Sequence, residues 1–241
     1  MIASSDAAQS VEAGAEARPG ALSDAELHLS EQDSDLASLI ARIGPSRLPV
    51  LPREPYEALV RAIAHQQLHG RAAERILERL LALHPGEAFP APERLLALSE
   101  AGFRACGFSG SKATAIRGIC EQTARGTVPS AEEAASLTDD ALIERLVSIR
   151  GVGRWTVEML LIFTLGRPDV LPVDDFGVRE GWKQIKRLDA QPRPRELARI
   201  GESWRPWRST AAWYLWRAAD EAKLARATKL PEGGSRPTSR A

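Results

Sequence analysis

Apolar residues recur at helical spacing along almost the whole chain, and no alternating run is long enough to build a sheet. Leu36, Leu39, Ile40 and Ile43 stand at i, i+3, i+4 and i+7, the stripe by which a helix meets a core. Gly44-Pro45 then stops that helix. Tyr56, Leu59, Val60 and Ile63 repeat the pattern, and after the polar interruption His65-Gln66-Gln67-Leu68-His69-Gly70 a third helix carries Ile76, Leu77, Leu80 and Leu81. Further helices are predicted over 93–98, 111–125, 131–136, 139–148, 154–165, 176–187, 194–203 and 207–222. Some starts carry chemical signatures: Ser130 with Glu133 has capping-box spacing, and Thr138 with Asp139 and Asp140 supplies a cap and negative charge. The fold class that follows is all-α.

The 241 residues, 44% of them hydrophobic, suffice for a core of normal size in one domain or two closely joined ones. Residues 1–33, rich in Ala, Ser, Glu and Gly, read as a disordered acidic tail, and residues 226–241 as a second one. No run of about 18 apolar residues is present for a membrane span, and the start of the chain lacks the pattern of a signal peptide. The expected compartment is the cytosol, or the nucleus in a eukaryotic cell. Cys106 and Cys120 are too few and too far apart for a zinc or iron-sulfur framework and read as buried thiols, and the four histidines show no metal-ligand spacing.

The formal charge of zero conceals a segregation. Residues 1–40 hold eight acidic groups and one arginine, which leaves 31 basic against 24 acidic groups over 41–241. Between Arg145 and Arg217 the count is fourteen basic to eight acidic, a modest nucleic-acid signal.

That basic stretch contains the most informative segment. Leu142 to Ile149 carries an apolar helical stripe, Gly151-Val152-Gly153 makes a turn, and Arg154-Trp155-Thr156-Val157-Glu158 opens a second helix. Glycine permits positive φ and close approach of a partner, and a helix start presents unpaired N–H groups. Such a turn is an anion site suited to a DNA phosphate. The segment resembles the helix-hairpin-helix motif of DNA-binding proteins (139–165 here). The resemblance implies DNA contacts by Gly151, Gly153, Arg154 and Thr156, and a monovalent cation, Na+ or K+, on the main-chain carbonyls of Val147, Ile149 and Val152.

Beyond the hairpin comes Leu171-Pro172-Val173-Asp174-Asp175-Phe176-Gly177-Val178-Arg179. Hairpin and this segment together resemble the HhH-GPD superfamily of base-excision DNA glycosylases over roughly residues 35–220. Two paired carboxylates before a helix leave a choice. Alignment on the alkylpurine (3-methyladenine) branch of AlkA and Mag type places the catalytic role on Asp175, and alignment on the oxidised-base branches places it on Asp174; the first is favoured. Bifunctional relatives keep a lysine two residues after the second hairpin glycine, where this chain has Trp155. An indole cannot form a Schiff base, so the resemblance implies a monofunctional hydrolase without lyase activity. The four-cysteine cluster of some branches is absent too, so no iron-sulfur cluster and no required cofactor are expected.

The run Trp204-Arg205-Pro206-Trp207-Arg208 with Trp213 and Trp216 resembles the C-terminal element of the alkylpurine branch. By position Trp155 and Trp216 line the base pocket, where cation–π attraction would favour a cationic base by about 1–2 kcal/mol; Trp204, Trp207 and Trp213 read as core. The same resemblance puts a wedge that fills the gap left by a flipped nucleotide at Gln67, with His69 reaching the minor groove. Gly107-Phe108-Ser109-Gly110-Ser111-Lys112 resembles the family's helix start near a further phosphate, which makes Lys112 a candidate DNA contact. Two helical domains with a cleft between them are implied: 34–64 plus 185–225, and 65–184. The expected partner is double-stranded DNA with damaged bases, bound by a monomer. A glycosylase for oxidised or deaminated bases and a non-catalytic DNA-binding module remain as alternatives.

Overall fold

The computed structural model describes residues 22–68 and 70–229, and every regular element among them is helical. In chain order they are α1 (Asp24–Gln32), α2 (Ser34–Ile43), α3 (Pro55–His65), α4 (Gly70–Ala82), α5 (Pro92–Ala97), α6 (Glu100–Cys106) and α7 (Gly110–Ala124). They continue as α8 (Ala131–Ser136), α9 (Asp139–Val147), α10 (Arg154–Phe163), α11 (Phe176–Lys186), α12 (Pro194–Ile200), a 3-10 turn (Gly201–Trp204) and α13 (Arg208–Lys229). Short polar side chains start many of them: Ser99, Ser109, Ser130 and Thr138 each accept a backbone N–H three residues on.

Buried side chains gather in two clusters. One runs from Tyr56 to Val170 and joins α3 to α10; the other joins α1 and α2 to α11, α12, the 3-10 turn and α13. The chain passes between them at Leu48, which touches both, and again between Val170 and Leu171. The division therefore falls differently from the expected 34–64 plus 185–225 against 65–184. Helix α3 buries Leu59, Val60 and Ile63 among α7 and α10 rather than beside α2. Helix α11 buries Val178 and Trp182 with the terminal helices. At Gly181 it comes so close to α13 that a Cβ would stand 1.9 Å from the Leu215 carbonyl oxygen.

The tails need correction as well. Within 1–33, residues 24–32 form α1, with Leu29 fully buried; only the part before residue 22 lies outside the described residues. Too short a stripe, Ala25 and Leu29, hid this helix among acidic neighbours. Helix α13 likewise runs on to Lys229, past the expected boundary at 226.

Candidate active site

Asp175 is the N-cap of α11, its Oδ1 accepting the Val178 N–H at 2.8 Å. A cap needs one oxygen and one donor, and this carboxyl has more. Trp216 Nε1 donates to Oδ1 at 2.8 Å and Trp155 Nε1 to Oδ2 at 2.7 Å. Three N–H donors suit a carboxylate, which only accepts. Asp174 is exposed, and of the paired acids Asp175 is the one the indoles hold.

Each partner arrives on a different element: Trp155 on the first turn of α10, Asp175 before α11, Trp216 on α13. Trp216 packs against both core clusters, so the carboxylate sits where they meet. Two further residues shape the spot. A Cβ at Gly177 would stand 2.8 Å from Trp216 Cδ1, so only glycine lets the start of α11 close on that ring. Phe163, at the other end of α10, stacks on Trp216 with centroids 5.5 Å apart and planes at 28°. Sequence reasoning missed both. Phe163 was legible only as one more apolar residue of α10, and Gly177 only as a residue of the acidic segment. Trp204 and Trp213 are buried and Trp207 half-buried, in the core role expected of them.

The hairpin joins α9 to α10. Gly151 adopts φ +88°, and a Cβ on it would come within 2.5 Å of the Ala115 Cβ, so fold and conformation both demand glycine. Gly153 differs: its φ is −94° and nothing lies within 4 Å of a Cβ there. Space beside it is open, and no side chain caps the start of α10. The turn is closed by Ile149 N to Leu146 O at 3.1 Å and Val152 N to Ile149 O at 3.0 Å. Val147, Ile149 and Val152 belong to this turn and offer neutral carbonyls without a carboxylate among them, a donor set that suits a monovalent cation better than a divalent one.

Two of the expected DNA contacts turn inward. Thr156 is buried and its hydroxyl accepts from Gln66 Nε2 at 3.0 Å, which places that side chain under the turn and not on the surface. The Lys112 ammonium, half-buried, donates to the carbonyls of Ala64 at 2.9 Å and Gln66 at 2.8 Å. The backbone N–H of Lys112 donates to the Ser109 cap at 3.3 Å. Gln67 stands exposed between α3 and α4 with φ +56°. His69 lies outside the described residues.

Arg154, 56% exposed at its side chain, reaches Glu158 Oε1 at 3.0 Å. Glu158 was missed in the sequence because its position on α10 looks like an ordinary i+4 partner. Burial pushes its carboxyl up to about 7, against the opposing pull of Arg154, with Asp174 and Asp175 adding to the rise. It lines a polar cavity of about 280 Å³ with Asp139, Asp169, Arg205 and Arg208. Among the described residues no cluster of three or more His, Cys, Asp or Glu has the arrangement of a metal site, and Cys106 and Cys120 are free and buried.

Residues 60–206 match the family model described as HhH-GPD superfamily base excision DNA repair protein. DNA-3-methyladenine glycosylase 1 of Schizosaccharomyces pombe is 43% identical over 211 residues, which cover 86% of this chain and 91% of that protein. Among solved structures, Schizosaccharomyces pombe 3-methyladenine DNA glycosylase (Mag1) in complex with abasic DNA is similar with a TM-score of 0.77 at 43% identity, over 81% of this chain and 96% of that one. A DNA-3-methyladenine glycosidase from Bacillus halodurans gives a TM-score of 0.70 at 34% identity, over 84% of this chain and 92% of the other.

Proposed function

The chain belongs to the HhH-GPD superfamily of base excision DNA repair proteins, and from that premise we propose that it is a monofunctional DNA glycosylase removing alkylated purines, 3-methyladenine among them, from double-stranded DNA. The observation that carries this reading is the Asp175 carboxylate held between the indoles of Trp155 and Trp216. Carboxylate and aromatic surface are the two things that hydrolysis of a cationic nucleoside needs in one place.

Alkylation at N3 or N7 gives the purine a positive charge, so the base leaves as a neutral molecule without a general acid. As the glycosidic bond breaks, its electron pair goes to the base and positive charge develops on the deoxyribose. The Asp175 carboxylate stabilises that charge. Water then adds to the sugar carbon and gives up a proton to Asp175 or to solvent, leaving an abasic site. Trp155 stands where strand-cutting relatives carry their amine, so no imine forms. The half-buried rings of Trp155 and Trp216 stack on the cationic base, Phe163 supporting Trp216 from one face.

The base reaches this place by leaving the duplex, with Gln67 filling the gap and His69 beside it in the minor groove. Gly151, Gly153 and the uncapped start of α10 take the DNA backbone, with Arg154 adding its guanidinium. A Na+ or K+ ion on the carbonyls of Val147, Ile149 and Val152 would add positive charge to the hairpin; no other cofactor enters the reaction. The protein acts as a monomer in the compartment that holds the DNA. No helix among the described residues is long and apolar enough to cross a membrane.

Base release from methylated DNA, followed for the wild type and Asp175→Asn, tests this reading. The substitution should slow release by about 10²–10³-fold with duplex binding retained. Unchanged release would remove Asp175 from the chemistry. Release of oxidised or deaminated bases in preference to 3-methyladenine would move the substrate to neutral bases, and no release of any base by the wild type would leave a DNA-binding module.

A further inference from the structure

Helix α7 touches both parts of the proposed DNA surface. At its start, the Lys112 ammonium holds the carbonyls of Ala64 and Gln66, where α3 ends. One turn on, Ala115 lies against Gly151 of the hairpin, and a turn further a Cβ on Gly118 would stand 3.8 Å from the Arg150 carbonyl oxygen. Lys112, Ala115 and Gly118 follow one another at three-residue spacing, so a single rigid element carries the wedge loop at its start and the hairpin along its next two turns. A second strap joins the same two parts directly. Gln66 Nε2 donates to Thr156 Oγ1 at 3.0 Å and to the Gly151 carbonyl at 3.4 Å.

The residue beyond Gln66 is Gln67, exposed and in the left-handed region. A non-glycine residue stays there only where its surroundings fix it. Gln66 and Gln67 are the corners of a turn closed by Leu68 N to His65 O at 3.2 Å, and the two straps, one on the Gln66 backbone and one on its side chain, anchor that turn to α7 and to the hairpin. Burial also pulls the Lys112 ammonium below the ordinary lysine range, the consequence of turning it away from the surface where a phosphate would meet it.

We propose that Lys112 and Gln66 form a clamp that holds the wedge loop in register with the hairpin, so that capture of the DNA backbone and insertion of Gln67 occur as one rigid-body step. The proposal rests on the glycosylase reading above for what the loop does. A loose loop would lose its conformational entropy on entering the duplex and so slow base extrusion; the clamp makes that loss during folding. Lys112 is a positioning residue, acting through the Ala64 and Gln66 carbonyls and not through a phosphate.

Lys112→Met keeps most of the stem and removes the ammonium, and Gln66→Ala cuts the other strap. Each is compared with the wild type under single-turnover conditions on two duplexes containing the same alkylated base, one opposite its normal partner and one opposite an abasic site, where extrusion is easier. The ratio of the paired to the unpaired rate should fall by about tenfold or more in both variants, with the salt dependence of DNA binding unaltered. A lysine that held a phosphate would instead lower the salt slope by about one and leave the ratio alone. A purely structural lysine would lower both rates by the same factor together with the melting temperature. Either result overturns the clamp. The fluorescence of 2-aminopurine beside the target reports unstacking without any chemistry and should rise less with the variants. If the wild type releases no alkylated base, the functional reading fails, and an equal fluorescence rise in wild type and variants still overturns the clamp on its own.

Discussion

Asp175 and Glu158 are carboxyls at one junction with opposite surroundings. Asp175 meets three N–H donors, whereas Glu158, 3% exposed, meets the Arg154 guanidinium and little else that favours its charge. With its folded-state pKa raised to about 7 from 4.5, Glu158 binds a proton in the fold at pH values where the unfolded chain has lost it. Stability therefore falls as pH rises through that window, by on the order of 3 kcal/mol in total. Glu158→Gln should flatten this part of the profile, measured as denaturant unfolding midpoints between pH 5 and 8. A variant that keeps the wild-type slope would assign the dependence to another group. The substitution should also free Arg154 from its ion pair with residue 158 and leave it for a phosphate.

At the scale of elements, the hairpin separates what glycine does for the fold from what it does for a ligand. Gly151 combines φ +88° with contact to Ala115, and Gly153 has an ordinary φ beside open space. Gly151→Ala forces a methyl into α7 from a left-handed backbone and should destabilise by about 1–3 kcal/mol. Gly153→Ala should leave the unfolding midpoint nearly unchanged and weaken duplex binding, because its methyl would occupy the space where a backbone phosphate approaches the start of α10. Thermal unfolding and a DNA titration on both variants check the contrast. Loss of stability at Gly153 with unaltered DNA affinity would show that this glycine serves chain reversal alone. The two glycines are indistinguishable in sequence, since the difference lies in Ala115, a residue more than thirty positions away that only folding brings beneath the first of them.

In the whole molecule, the all-helical class and most of the helices followed from spacing, because a stripe at i, i+3, i+4 and i+7 has one good use. Asp175, Trp155 and Trp216 were legible as a group because each fell at a motif position, and the fold does bring them together. What escaped were facts of long range: which cluster takes α3 and α11, the inward turn of Lys112 and Thr156, and the whole of α1. The last of these shows why an acidic segment misled. Glu26 lies on α1 and is 2% exposed, yet its carboxylate is what ties the helix in. Its Oε2 accepts from Ser23 N at 2.7 Å, and its Oε1 accepts from Ser46 N at 2.8 Å, in the segment that crosses between the two clusters. Tyr214 on α13 donates to the same oxygen at 3.4 Å and to the Gly44 carbonyl at 2.8 Å. Burial pushes this carboxyl up, but the bonds from Ser23 and Ser46 outweigh it and hold it below the ordinary glutamate value. The sign is opposite to that of Glu158: this contribution is complete above the unfolded-state value and is lost as pH falls through the folded one. Glu26→Gln should therefore destabilise by about 1–3 kcal/mol at pH 7, and its deficit against the wild type should shrink steadily toward pH 3 in denaturant titrations. A deficit constant with pH would mean that the Glu26 side chain acts through hydrogen bonds and packing that do not depend on its charge, and that the charge at the crossing segment contributes nothing.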